Sequence, residues 1–263
     1  MSKFDTIALD IDEGVAHLTI DRPKANNAID LKCARELMRA SIICNDDPDV
    51  RAVLITGRSK IFCSGGDLKS FAKQGKDLPS HVREVTTHLH AAISRFIRGD
   101  APIVSAVNGV AAGAGMSLAC MGDIIIAAES ARFTSAYTGV GLSPDGALTY
   151  FLPRMIGVKR AMELTLTNAV LTAEDAMEWG IVARVVHDEE LLPEAKALAA
   201  KLAEGPTTAF GATRRLLHTG QTHTLETQME MESRSLSEMT RTRDAREAID
   251  AFGDKRKPRF KGK

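Results

Sequence analysis

A strand, a turn and a run of very small residues follow one another in residues 101–123, APIVSAVNGVAAGAGMSLACMGD. Residues 103–107 are apolar and β-rich, which predicts a buried strand, and Asn108-Gly109 is a turn signal. Residues 111–115 are alanine and glycine only, and a helix can follow from Met116. A helix that begins after such a turn presents unpaired backbone N–H groups, and small residues let another molecule approach them. The stretch therefore predicts an anion or oxyanion cradle. Tight helix packing is the alternative, and the spacing does not match the G-x-G-x-x-G of dinucleotide sites.

Another glycine turn lies upstream in residues 61–68, IFCSGGDL, with Asp67 at the expected start of a helix. In chain order it is the first glycine turn. Two such turns can direct two N–H groups at one oxygen atom, and the loss of one donor from an oxyanion hole costs about 2.7–4 kcal/mol of transition-state stabilisation. The pair of turns is therefore a stronger indication than either turn alone. The polar residues 69–80 that follow predict an irregular loop.

The predicted secondary structure changes near residue 187. Before this point strand-like and helix-like segments alternate, beginning with a hairpin around Asp12-Glu13-Gly14. After it the sequence is almost entirely helical and ends in the basic stretch 255–263. We therefore predict an α/β core over residues 1–187 and a helical region over residues 188–263.

Charge and composition exclude several classes of protein. The formal net charge is +0, which gives no support for a nucleic-acid partner. The four cysteines, Cys33, Cys44, Cys63 and Cys120, lack metal-site spacing and do not form a disulfide framework. The N-terminal MSKFDTIALDIDEG has no signal-peptide core, and no apolar run is long enough to span a bilayer. We expect a cytoplasmic protein with no metal and no membrane partner.

Few titratable residues stand out as candidates. Residues 82–98 have apolar positions at helical spacing, and this predicted helix carries or adjoins His81, His88 and His90. A single histidine of this kind is more often solvated or packed than functional. Asp145 lies between a proline and a glycine, so it is either a turn residue or a carboxylate presented to a pocket.

Taken in their order along the chain, several short runs of this sequence resemble the crotonase superfamily, the enoyl-CoA hydratase/isomerase family. No single run is decisive, but all of them in register cover nearly the whole chain and are highly specific. The matching runs are 21–25 (DRPKA), 61–68 (IFCSGGDL), 106–109 (AVNG) with the glycine-alanine turn, 123–127 (DIIIA), 141–146 (GLSPDG) and 176–182 (AMEWGIV).

The resemblance implies a fold, an assembly and a substrate. The fold would be α/β, a crotonase-like spiral of ββα repeats with a C-terminal all-helical region that forms a homotrimer or a dimer of trimers. The substrate would be an acyl-CoA thioester, with coenzyme A as part of the substrate and no separate cofactor. The backbone N–H groups of Gly66 and Ala114 would hold the thioester oxygen, in agreement with the two glycine turns.

The resemblance also implies which residues contact coenzyme A. One group of these residues lies in the loop 21–28 around Pro23, called the proline loop, and in the first glycine turn. Phe252 and the basic tail would reach the phosphates from a neighbouring subunit. The implied set is Lys24, Ala25, Asn26, Ala28, Ser64, Asp67, Leu68 and Phe252.

The chain departs from the family's hydratases at two positions. Where these enzymes carry two glutamates, this sequence has Ser117 and Tyr137, neither of which can serve as a carboxylate base. Asp145 matches the aspartate with which isomerases of the ring-epoxide phenylacetyl-CoA and Δ3,Δ2-enoyl types move a proton. One carboxylate is enough for an allylic shift, so the sequence favours isomerisation of an enoyl-CoA double bond.

Other activities stay open at this point. Asp145 and His90 also match the nucleophile and base of 4-chlorobenzoyl-CoA dehalogenase, but Gly66, His88, Leu89 and Tyr137 stand where bulky rings are expected. A hydratase with altered acid/base residues and a non-catalytic acyl-CoA binder are further alternatives. Retention of Asp145 argues against the binder.

Overall fold

The computed structural model describes residues 4–263, and its strands form two sheets. The strands are β1 (Ile7–Asp12), β2 (Val15–Ile20), β3 (Ala52–Gly57), β4 (Ile103–Val107), β5 (Val110–Ala112), β6 (Ile124–Ala128), β7 (Arg132–Thr134), β8 (Leu171–Thr172) and β9 (Arg184–Val186). The larger sheet has the order β1-β2-β3-β4-β6-β9, with only the β1–β2 pair antiparallel. The smaller sheet has the order β5-β7-β8.

Ten α-helices of the described part of the chain surround these sheets. They are α1 (Leu31–Asp46), α2 (Leu68–Ala72), α3 (Leu78–Arg98), α4 (Ala114–Cys120), α5 (Leu148–Thr167), α6 (Ala173–Glu178), α7 (Leu191–Ala203), α8 (Thr207–Gly220), α9 (Leu225–Met239) and α10 (Arg243–Gly253). No helix within residues 4–263 is both long and apolar enough to cross a membrane.

The repeated unit is a strand in the large sheet, a short strand in the small sheet, and a helix. The clearest examples are β4–β5–α4 and β6–β7–α5. Before α2 the short strand is reduced to a single bridge, in which Cys63 pairs with Ala111 of β5. Each turn therefore adds one strand to each sheet, which is the predicted spiral of ββα repeats.

The large sheet is covered on both faces, as expected for mostly parallel strands. One face and the helices α1 and α3 to α5 enclose the main core, whose fully buried side chains include Leu18, Ile55 and Ile103. The other face is covered by α7, whose Ala195, Ala199 and Ala203 recur every fourth residue and let the helix lie close to the strands.

The helical region from residue 188 onward consists of α7 to α10, as predicted. α7 packs on the large sheet, whereas α9 has no buried residue. Phe252 on α10 is 88% exposed. The domain boundary at residue 187 and the trimeric assembly stay predictions.

The prediction of an irregular loop over residues 69–80 was wrong. The segment contains α2, a short 3-10 helix at Gly75–Asp77 and the first turn of α3. Asp67 starts α2, because its side chain accepts a hydrogen bond from the Ser70 N–H at 3.0 Å. A proline in the first turn of α3 begins that helix without losing a backbone hydrogen bond.

Candidate active site

The two glycine turns lie against each other at one end of the small sheet. Gly65 has a φ of +98°, and a Cβ atom there would lie 2.9 Å from the Ala112 carbonyl oxygen and 3.5 Å from the Ala114 nitrogen. A side chain at Gly65 would therefore separate the turns. The turns are joined by hydrogen bonds from Cys63 N–H to Val110 (3.0 Å) and from Ala112 N–H to Cys63 (3.0 Å).

Where the turns meet, the backbone N–H groups of Gly66 and Ala114 have no acceptor among residues 4–263. Ile29 accepts from the Asp67 N–H at 2.9 Å and donates to the Gly65 carbonyl at 2.7 Å, so the N–H of Gly66 points away from Ile29. Ala114 is the first residue of α4, where the helix has no acceptor for it. Neither the Gly66 nor the Ala114 N–H donates to any residue in the described part of the chain.

Gly66 and Ala114 line the same cavity, which has a volume of about 330 Å³. Most of its wall is apolar and comes from α2, α3 and the loop before α5. The apolar lining residues are Ile29, Leu68, Phe71, Val82, Val85, Leu89, Val140, Leu142 and Pro144. The site therefore offers two N–H donors at the edge of a space suited to an apolar group.

Asp145 also lies on the cavity wall, so the structure places its carboxylate in a pocket. The Tyr137 hydroxyl donates a hydrogen bond of 2.5 Å to its Oδ1 atom. The Asp145 side chain is 24% exposed, and no other carboxylate lines the cavity among residues 4–263.

Ser117 and Tyr137, where family hydratases carry glutamates, both contact Asp145. The Ser117 hydroxyl donates to the Asp145 backbone carbonyl at 2.8 Å and lies 3.3 Å from the Tyr137 hydroxyl. Ser117 is completely buried and does not line the cavity. The next residue, Gly146, has a φ of +61°, and a Cβ atom there would lie 2.8 Å from the Cβ of Ser117. The Asp145-Gly146 segment therefore occupies the space that a longer side chain at position 117 would need.

Among the three histidines near α3, only His90 approaches Asp145. Its Nε2 lies 3.7 Å from Asp145 Oδ2 and accepts a hydrogen bond from the Gly146 N–H at 3.1 Å. The side chain is 52% exposed and does not line the cavity. His81 packs edge-on against Phe71, and His88 Nδ1 lies 3.4 Å from the sulfur of Met38.

The predicted coenzyme A residues are spread over several surroundings. Lys24, Asn26 and Leu68 are exposed, Ala25 and Ser64 are half-buried, and Ala28 is buried. The Ser64 N–H donates to the Asn26 carbonyl at 3.2 Å, so the proline loop and the first glycine turn are neighbours. Phe252 is exposed and does not line the cavity of its own chain.

The Asp67 carboxylate is engaged within the protein. It caps α2 and forms an ion pair of 3.0 Å with Arg22. Burial opposes its ionisation, but hydrogen bonds from the Ser70 N–H and from Arg22 lower the pKa of Asp67 overall. A contact of Asp67 with coenzyme A stays a prediction, and it would have to involve an atom that this network leaves accessible.

Sequence reasoning missed the role of Arg22. Its guanidinium pairs with Asp30 at 2.7 Å and with Asp67 at 3.0 Å, and it donates to the Ala28 carbonyl. It thereby fixes the proline loop on the first glycine turn. The available signal was an arginine directly before the proline, with Asp30 and Asp67 each beginning a predicted helix.

Replacement of Arg22 by glutamine (R22Q) should lower the free energy of unfolding by about 2 kcal/mol, because two largely buried carboxylates lose their charged partner. Urea denaturation measures the change. R58Q is the matched control, since the Arg58–Asp21 pair is half-exposed and should be worth at most about 1 kcal/mol. Equal losses in R22Q and R58Q would contradict a special role for Arg22.

The comparisons with known proteins agree with the fold and the turns. Residues 10–263 match the family model described as enoyl-CoA hydratase/isomerase. A protein named as a probable enoyl-CoA hydratase from Rhodobacter capsulatus is 38% identical over 260 residues, covering 99% of each chain. The 1,2-epoxyphenylacetyl-CoA isomerase of Escherichia coli is 38% identical over 255 residues, covering 96% of this chain and 97% of its own.

A solved structure gives the same result. A protein described as an enoyl-CoA hydratase/isomerase from Mycobacterium abscessus superposes with a TM-score of 0.93 at 36% identity, covering 98% of this chain and 100% of its own. The fold and the paired turns define a crotonase-type enzyme. The chain belongs to the enoyl-CoA hydratase/isomerase family, a family that acts on acyl-CoA thioesters.

Proposed function

We propose that the protein is an enoyl-CoA isomerase that moves a carbon–carbon double bond along an apolar acyl chain. The observation that carries the proposal is Asp145, the single carboxylate on the cavity wall within residues 4–263. An allylic shift needs one group that can take a proton and return it, whereas syn-addition of water in this family relies on two.

The proposed reaction has two proton steps. The Asp145 carboxylate takes a proton from the α carbon, so that a C–H bond breaks, an O–H bond forms, and the electron pair moves into a thioester enolate. The N–H groups of Gly66 and Ala114 hydrogen-bond the enolate oxygen, where the negative charge accumulates. The carboxylic acid then returns its proton to the γ carbon, and the double bond becomes conjugated with the thioester.

The surroundings of positions 117 and 137 favour isomerisation over hydration. Ser117 lies behind the Asp145-Gly146 segment, and the Tyr137 hydroxyl donates to Asp145. Neither residue is a carboxylate that could activate water. The relative named as a probable hydratase keeps hydration as the competing reaction to be measured.

The surroundings of His90 count against a hydrolytic dehalogenase. That reaction needs a histidine base with a free nitrogen beside the aspartyl ester, but Nε2 of His90 accepts the Gly146 N–H. The cavity wall has only Phe71 and Tyr137 as aromatic side chains in the described chain, which gives little clamping of an aryl ring.

The coenzyme A moiety is proposed to lie along the proline loop. Lys24 and Asn26 are exposed there, next to the first glycine turn through the Ser64–Asn26 hydrogen bond. Phe252 is exposed and lies outside its own chain's cavity, which fits a contact made across a trimer interface. The assembly, a trimer or a dimer of trimers, belongs to the proposal.

Product analysis tests the proposed reaction. A purified sample should convert 3-enoyl-CoA thioesters into 2-enoyl products of unchanged mass, detected by mass spectrometry and by the absorbance of the conjugated thioester. It should release no halide from 4-chlorobenzoyl-CoA. A product heavier by one water, or released chloride, would replace the proposal by the hydratase or the dehalogenase. Tight binding of all these thioesters without any turnover would identify a binder.

A further inference from the structure

The two oxygen atoms of the Asp145 carboxylate have different surroundings. Oδ1 accepts a hydrogen bond of 2.5 Å from the Tyr137 hydroxyl. Oδ2 lies 3.7 Å from His90 Nε2, which is beyond hydrogen-bond distance, and that nitrogen already accepts the Gly146 N–H. One oxygen is therefore held by the protein, and the other has no hydrogen-bond partner among residues 4–263.

Tyr137 is itself held firmly. The residue is 9% exposed, its N–H donates to the Ser135 carbonyl at 2.8 Å, and its carbonyl accepts from the Leu142 N–H at 3.0 Å. Burial, and then the charge of Asp145, raise the pKa of Tyr137 far above its ordinary value. The phenol therefore stays protonated and acts as a hydrogen-bond donor throughout the pH range in which an enzyme works.

Ser117 holds the backbone of the same aspartate. Its hydroxyl donates to the Asp145 carbonyl at 2.8 Å. The side chain and the backbone of Asp145 thus have separate attachments, from Tyr137 and from Ser117. These are the two positions at which the sequence departs from the family's hydratases.

We propose that Tyr137 is a positioning residue that holds Asp145 by Oδ1 and leaves Oδ2 as the atom that accepts and returns the proton. The inference rests on the proposed isomerisation and assigns a task to a residue that the reaction scheme does not otherwise use. A single proton-carrying oxygen has a physical advantage, because the carboxyl group need not rotate between the two proton steps. Tyr137 and Ser117 stand at the two positions where the hydratases are expected to carry acid/base glutamates, and here both support the single acid/base residue, Asp145.

The first test is the replacement of Tyr137 by phenylalanine (Y137F), which removes only the hydroxyl. We expect kcat for double-bond migration to fall by about 10-fold or more, with KM changed by less than about 3-fold, because the base loses its orientation.

The chain offers a matched control. Tyr150 is the only other tyrosine, and its hydroxyl lies at the surface, 3.3 Å from the His218 carbonyl. Y150F should leave both kcat and KM unchanged. Wild-type kinetics in Y137F, or the same change in both variants, would overturn the inference.

A second test strengthens the hydrogen bond instead of removing it. In the Y150F background Tyr137 is the only tyrosine, so growth on 3-fluorotyrosine labels this position alone. Fluorine makes the phenol a stronger donor and leaves the hydrogen bond in place, so kcat should stay within about 3-fold of the Y150F value, in contrast to the loss in Y137F. General damage to the site would lower kcat in both proteins, and an equal loss in both would contradict the proposal.

The fluorine label also provides a readout that needs no activity. The fluorine-19 resonance of residue 137 should differ between the wild type and D145N, because the group that accepts its hydrogen bond changes from a carboxylate to an amide. The same resonance in both proteins would overturn the pairing. A protein without isomerase activity that shows this difference would remove the proposed function and keep the Tyr137–Asp145 pair, so the two failures are distinguishable.

Discussion

In the D145N variant, kcat for double-bond migration is expected to fall by about 10²–10⁴-fold, the range that a positioned acid/base group contributes. An amide cannot take a proton from carbon at neutral pH. Asparagine keeps an oxygen that can accept the Tyr137 hydroxyl, now 2.5 Å from Oδ1, so the pocket should keep its shape. Calorimetric titration with a saturated acyl-CoA should show an unchanged dissociation constant.

The control for this variant is D77N. Asp77 is exposed at the start of α3, where its side chain makes no capping hydrogen bond. The same exchange of carboxylate for amide should there leave kcat within about 2-fold of the wild type, since nothing in the proposed proton steps involves this residue. Full activity in D145N would refute Asp145 as the proton carrier, whatever the behaviour of D77N.

The second large effect is expected from a proline at position 114 (A114P). Ala114 is the first residue of α4, where a helix tolerates proline because this N–H has no partner within the helix. The substitution therefore removes one of the two proposed oxyanion donors while the helix is kept. Loss of such a donor lowers kcat by about 10²–10³-fold.

Two measurements separate a lost donor from a damaged fold. R243P places proline at the corresponding first position of α10, and it should change neither kcat nor the melting temperature by much. The infrared band of the thioester carbonyl should lie at lower frequency when bound to the wild type than in water, and A114P should reverse part of this shift. An A114P enzyme that is folded and fully active would exclude the Ala114 N–H from the mechanism.

Much of the fold and of the site could be predicted from local patterns. Local patterns predicted the alternating strands and helices, because β-branched runs and glycine turns are local signals, whereas the ββα repeat was implied by the family resemblance. The two glycine turns line one cavity, since each follows a strand of the same parallel sheet, but their role as oxyanion donors stays a prediction. The position of Asp145 between proline and glycine left open a turn residue or a carboxylate presented to a pocket, and the structure puts the residue on the cavity wall.

The remaining features depend on contacts between distant segments. The polar composition of residues 69–80 suggested a loop. The segment is helical instead, with Asp67 capping α2 and Phe71 forming part of the cavity wall. The partners of Arg22 and the hydrogen bond of Tyr137 join residues that no spacing rule relates. His90 lies outside the cavity, and its Nε2 accepts a hydrogen bond from the Gly146 N–H. This bond joins α3 to the loop before α5, so neither segment alone predicts it.

The presence of one carboxylate on one wall also fixes the geometry of the reaction in space. A base that takes a proton from one side of a flat enolate and cannot move to the opposite wall must return it on the side it came from. Double-bond migration at this site would therefore be suprafacial. In heavy water, the share of the original α hydrogen that appears on the γ carbon would measure how often the acid, 24% exposed, returns its proton before exchanging it with solvent.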